Sequence, residues 1–170
     1  MSHLESNGVQ GSRIRVLAVG FAAILLASCA TMKPGTGDVA FRLRWEGTAD
    51  LDLHVRDPDD GYVSFLTVHA PMLSEDEPHC EGILDIDCNS APDRLCKKPI
   101  ENIFWPVGRA PEGTYTVWTH LFQALRDGSE VPFTIEILRG ESVVEELGGK
   151  LSDEHRTSQR FTYVYRREGP

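Results

Sequence analysis

Two short stretches of the chain carry aspartate at alternate positions, Asp50-Leu51-Asp52-Leu53 and Asp85-Ile86-Asp87. On an extended backbone residues two apart share a face, so each acidic pair lies opposite the leucine or isoleucine that enters a core. If the two stretches were neighbouring strands, four carboxylates would crowd together, and like charges opposed across a sheet are destabilising. Such a cluster either splays into solvent or binds a cation. Calcium is the natural occupant, because it is a hard ion that takes carboxylate and carbonyl oxygens. The plainer reading is that the aspartates form the solvated side of half-buried strands. Asp57-Pro58-Asp59-Asp60-Gly61 has part of a calcium-loop composition but lacks the glutamate and the spacing of an EF-hand, and its residues suffice to make a turn.

Other side chains offer less. Trp45, Trp105 and Trp118 read mainly as packing residues, while Trp118 and His120 share a strand face with Thr114 and Thr116 and form the best candidate binding surface for a sugar or peptide. Paired carboxylates could run glycoside hydrolysis, a remote alternative here. The chain has no Gly-x-Ser-x-Gly elbow, no His-Glu-x-x-His and no phosphate-cradling glycine loop, and the expectation is a protein that is not an enzyme.

The elements that must position these residues are short strands. Phe41, Leu43 and Trp45 alternate with Arg42 and Arg44, and Leu51, Leu53 and Val55 alternate with Asp52 and His54, the period of a half-buried strand. Similar runs follow at 63–68, 83–87, 100–105, 114–122, 133–138, 142–147 and 160–165. With no convincing long helix, the pattern predicts an all-β fold: one antiparallel β-sandwich, Ig-like or jelly-roll-like, of about eight or nine strands over residues 38–166. Residues 70–81, with two prolines and Glu75-Asp76-Glu77, are expected to be a loop, and 121–125 a helical turn. The net charge of −9 comes without a basic stripe, which argues against nucleic acid as a partner.

Trp45, the run from Asp50 to Val55, Asp57-Pro58, Gly82-Ile83-Leu84-Asp85-Ile86-Asp87, Glu101-Asn102-Ile103-Phe104-Trp105 and Gly113-Thr114-Tyr115-Thr116-Val117 together resemble the YfaP-type β-sandwich domain of unknown function. The resemblance covers most of residues 41–120. It implies a sandwich found in secreted and envelope proteins, with no established activity. It groups Asp50, Asp52, Asp85, Asp87, Glu101 and Asn102 as recurrent polar positions, which suits a set of oxygen ligands for calcium. Adjacent on a strand, Glu101 and Asn102 point to opposite faces, so both could ligate only near a bend or a strand end. This chain departs from the pattern by inserting residues 88–98.

The N-terminus resembles a bacterial lipoprotein leader. Arg13 and Arg15 precede an apolar stretch, and Leu26-Ala27-Ser28-Cys29 matches the lipobox pattern. The apolar run is about 15 residues, short of the roughly 20 that span a bilayer. The resemblance implies a signal peptide over 1–28, lipid such as palmitate on Cys29, and a lipidated tether over 29–37. Removal of Glu5, Arg13 and Arg15 with the leader makes the remaining chain more acidic. Ala30 after the cysteine, where aspartate would resemble an inner-membrane retention signal, leans the assignment toward the outer membrane.

In that oxidising compartment Cys80, Cys88 and Cys96 are an odd set of three. Cys88–Cys96 would close a short polar loop, and Cys80–Cys96 is the next choice. A zinc site from His69, His79 and Cys80 matches no strong spacing. The functional expectation is a lipid-anchored, non-catalytic interaction or accessory module, calcium-stabilised, facing an envelope protein or a polysaccharide. A carbohydrate- or small-ligand-binding module is the alternative.

Overall fold

The computed structural model describes residues 33–69, 81–91 and 95–168, apart from the side chains of Val68 and His69. The leader, Cys29, the loop 70–80 and Cys80 lie outside the described residues. So do His79 and the side chain of His69, the other residues of the zinc reading.

Alternating apolar residues make strands here because one side of each can be buried while the other meets polar neighbours. The described strands are β1 (Val39–Trp45), β2 (Asp50–Arg56), β3 (Tyr62–Val63), β4 (Ile83–Asp87), β5 (Ile100–Trp105), β6 (Gly113–Gln123), β7 (Val131–Arg139), β8 (Ser142–Leu151) and β9 (Phe161–Tyr165). They form two antiparallel sheets, a five-stranded one in the order β4-β5-β1-β7-β8 and a four-stranded one in the order β3-β2-β6-β9. The sheets pack as an open β-sandwich, as the strand pattern predicts. Phe41 and Leu43 of β1, Leu51 and Leu53 of β2 and Ile135 and Ile137 of β7 are fully buried in one shared core. The Tyr115 hydroxyl donates to the Pro111 carbonyl at 2.9 Å, fixing the start of β6 against the turn before it.

The turn at Asp57 forms for the chemical reason expected. Its Oδ1 accepts the amides of Asp59 at 3.0 Å and Gly61 at 2.7 Å, and Asp60 takes a left-handed φ of 66°. Two local expectations fail. Residues 63–68 do not form one strand: β3 ends at Val63 and a short helix, α1 (Phe65–His69), follows. Ser64 caps that helix, its hydroxyl accepting the Leu66 amide at 3.2 Å while Thr67 Oγ1 accepts the Ser64 amide at 3.0 Å. The helical turn expected at 121–125 is instead the end of β6, where Leu121 pairs with Leu51 and donates its amide to Arg156 O at 2.7 Å.

Stopping β3 after two residues has a consequence for β2. β3 pairs only with Val55 and Arg56, so among the described residues no strand pairs with 50–54 of β2 on that side. The gap is met from the other sheet, where β2 packs against β5.

Candidate metal centre

Leu53 pairs with Thr119 on one side of β2, and on the other its amide donates to Glu101 Oε2 at 2.5 Å. Glu101 belongs to the inward series of β5 with Ile103 and Trp105, and all three are fully buried. Its carboxylate thus reaches out of the core to the bare edge of β2. Asp87 is opposite Glu101 in the β4–β5 register. Asp50 and Asp52 project beside the same edge, each only 5% exposed. Ligand oxygens of Asp50, Asp52 and Glu101 lie within 4.8 Å of one another.

Four carboxyls therefore gather where two strand ends and a bare strand edge meet. Register shifts at Asp50/Leu51 in β2 and at Leu84/Ile86 in β4 adjoin the cluster, the irregularity by which sheets commonly re-aim side chains. Asp50 Oδ1, Asp87 Oδ1 and Glu101 Oε1 are buried and have no hydrogen-bond partner among the described residues. A buried oxygen left so costs about 1–3 kcal/mol, and more when charged. Asp87 lies close enough to bond with Glu101 when one of the two carries a proton.

The electrostatics follow from this crowding. Burial first, then the charge of Asp87, raises Asp50 to about 6. Burial, then Asp50 and Asp87, raises Asp52 to about 7. Burial pushes Glu101 well above the carboxylate range; the Leu53 amide opposes that shift, and Asp87 and Asp52 add to it. A bound divalent cation would oppose all three shifts, giving the orphaned oxygens a partner and the negative charges a counter-charge that offsets their burial. Oxygen-only donors and separations up to 4.8 Å match calcium, whose ligands sit about 2.3–2.6 Å from the ion.

The other two residues of the expected ligand set face away. Asn102 donates to Asp85 Oδ1 at 2.7 Å and to Gly35 O at 3.1 Å, and accepts from Arg42 Nε at 3.1 Å. Gly35 N donates to Asp85 Oδ2 at 2.6 Å. Asp85 and Asn102 thus fasten residues 33–37, expected as part of the tether, onto the outer face of the five-stranded sheet.

Cys88 and Cys96 form a disulfide at the end of β4, directly after Asp87. Sequence reasoning overlooked the next residue, Asn89; the available signal was its type, since asparagine in a polar loop tolerates the left-handed backbone, here a φ of 67°. Its side chain donates to Ala49 O at 2.8 Å and accepts the Cys96 amide at 2.9 Å.

On the expected binding face of β6 Trp118 is covered, while Thr116 and His120 are half-buried and Thr114 is exposed. Trp118 is 9% exposed, with His54 stacked 5.2 Å from it and the Arg160 guanidinium 4.6 Å above its ring. His54 bonds to the Tyr62 hydroxyl at 2.6 Å, and His120 Nδ1 meets Thr157 Oγ1 at 2.9 Å. Comparison of the chain with protein families, curated proteins and solved structures returns no match.

Proposed function

We propose that this protein is a lipid-anchored bacterial envelope protein whose β-sandwich binds a divalent cation, calcium before others, and serves without catalysis as an interaction or accessory module. The observation that carries the cation reading is the group of Asp50, Asp52 and Glu101 at the edge of β2, in which Asp50 Oδ1 and Glu101 Oε1 are buried with no hydrogen-bond partner among the described residues, with the similarly placed Asp87 Oδ1 opposite Glu101. The lipobox-like stretch at Leu26 to Cys29 supports the anchor and leans it toward the outer membrane. The YfaP-type resemblance supports an envelope setting, with a protein or polysaccharide as the partner.

Thermal melts of the full chain in a non-ionic detergent, with calcium chloride and with a chelator, test the cation site. A ligand that binds only the folded state raises the midpoint by mass action. The expected result is a higher midpoint in calcium; equal midpoints at millimolar calcium overturn the reading. Radioactive palmitate labelling in cells tests the anchor, with Cys29→Ala expected to abolish incorporation.

A further inference from the structure

We infer that the Cys88–Cys96 disulfide, acting through Asn89, positions two of the cation ligands, so that cation binding and the crosslink stabilise each other. This inference rests on the cation reading above. Two members of the cluster are already held by strand chemistry. The Leu53 amide holds Glu101, and the Asp52 carbonyl accepts the Thr119 hydroxyl at 2.9 Å.

Asp50 and Asp87 each have one strand partner, Gln123 and Glu101, and sit at strand ends. Asp50 is the first residue of β2, at a register shift. Asp87 is the last residue of β4, an edge strand with one neighbour and its own register shift. Strand ends fray unless something ties them down.

The disulfide loop supplies both ties. Cys88 follows Asp87, is buried in the core and is bonded to Cys96. Asn89 then bridges the loop to the turn before β2: its amide reaches Ala49 O, one residue before Asp50, and Gly47 O at 3.4 Å, while its carbonyl takes the Cys96 amide. Ala49 O also accepts Trp45 Nε1 at 2.8 Å, so the anchoring carbonyl is itself fixed to β1. Closing the crosslink thus sets where Asp87 and Asp50 sit relative to Glu101. Supports behind metal ligands typically change affinity by about 10- to 100-fold when removed.

Linkage makes the effect reciprocal: whatever factor the crosslink adds to cation affinity, the cation adds to the crosslink's resistance to reduction. The test is calcium titration calorimetry on the full chain in non-ionic detergent, wild type against Cys88→Ala/Cys96→Ala and against Asn89→Gly, which tolerates the left-handed backbone. Affinity about tenfold weaker or worse in both variants, each melting in one cooperative transition, is expected. Wild-type affinity in a folded variant overturns the inference and leaves the cation site standing. No calcium binding by wild type removes the site, and the inference with it.

Should the double variant fail to fold, the wild-type disulfide is titrated with dithiothreitol, with and without calcium chloride. There the S–S bond breaks, two electrons and two protons pass to the cysteine sulfurs, and the reagent closes to its cyclic disulfide. Calcium is expected to shift the equilibrium about tenfold toward the crosslinked form. An unchanged equilibrium in wild type that binds calcium overturns the linkage.

Discussion

Glu101 serves two ends that conflict without a cation. Oε2 satisfies the Leu53 amide, which favours a charged carboxylate, while Oε1 is buried among Asp50, Asp52 and Asp87, which disfavours one. Glu101→Gln keeps an oxygen for Leu53 and removes a charge. The expected outcome is opposite in the two conditions: a melting midpoint at or above wild type in chelator, and loss of most of the rise in calcium. A midpoint well below wild type in chelator would mean that the charge itself stabilises the apo fold. The pH dependence has a definite sign. Asp50 and Asp52, raised from an ordinary 3.8 to about 6 and about 7, hold a proton when folded that the unfolded chain has released. Their stabilising contribution is complete below pH 3.8 and is lost as pH rises through 6 and 7. His54, lowered by burial to about 4, has the reverse sign, contributing above its ordinary 6.5 and losing that contribution as pH falls. Above 6.5 the acids act unopposed, so the midpoint in chelator should fall between pH 6.5 and about pH 8. Saturating calcium should flatten that fall; differential scanning calorimetry across the range reads both.

The elements explain why the site was half legible. Alternation in β1 and β2, and turn chemistry at Asp57, could be read locally because each depends on neighbours along the chain. The aspartate pairs were legible as a group, but which members would meet was not. Glu101 and Asn102 do point to opposite faces; the sheets' stacking then brings Glu101 to Asp50 and Asp52, and strand register sets Asp87 beside it, while Asn102 joins Asp85. The shortness of β3 mattered most. It follows from Ser64 capping a helix that the apolar run 63–68 concealed, and without it a strand would cover the Leu53 amide. The strap at 33–37 was equally hidden, since glycine there reads as a flexible link. A Cβ on the buried Gly37 would overlap the backbone carbonyl of Trp105, which cannot swing aside as a side chain can. Gly37→Ala should therefore destabilise by about 1–3 kcal/mol in chemical denaturation while leaving calcium affinity unchanged, because the strap lies on the far face of the sheet. A matching loss of calcium affinity would contradict the separation of the two faces.

At the scale of the molecule, one core joins both sheets, and damage in it should reach the site only through global unfolding. Ile135 is fully buried in β7, separated from β4 by β5 and β1, and Ile135→Ala should cost about 2–5 kcal/mol. Urea denaturation in chelator reads that cost, and calcium titration of the fraction still folded should return wild-type affinity. The outermost strand of the same sheet, β8, exposes Val143 and Val144 beside Glu145, Glu146 and Lys150, charges of the kind that keep open edges from pairing with other chains. The strap has a mechanical meaning as well. Tension on the N-terminal side of Lys33 passes through the Gly35 hydrogen bonds, then into β1, the central strand of its sheet, held between β5 and β7. Load applied there meets two ladders side by side, whereas load on the C-terminal side meets β9, an edge strand paired with β6.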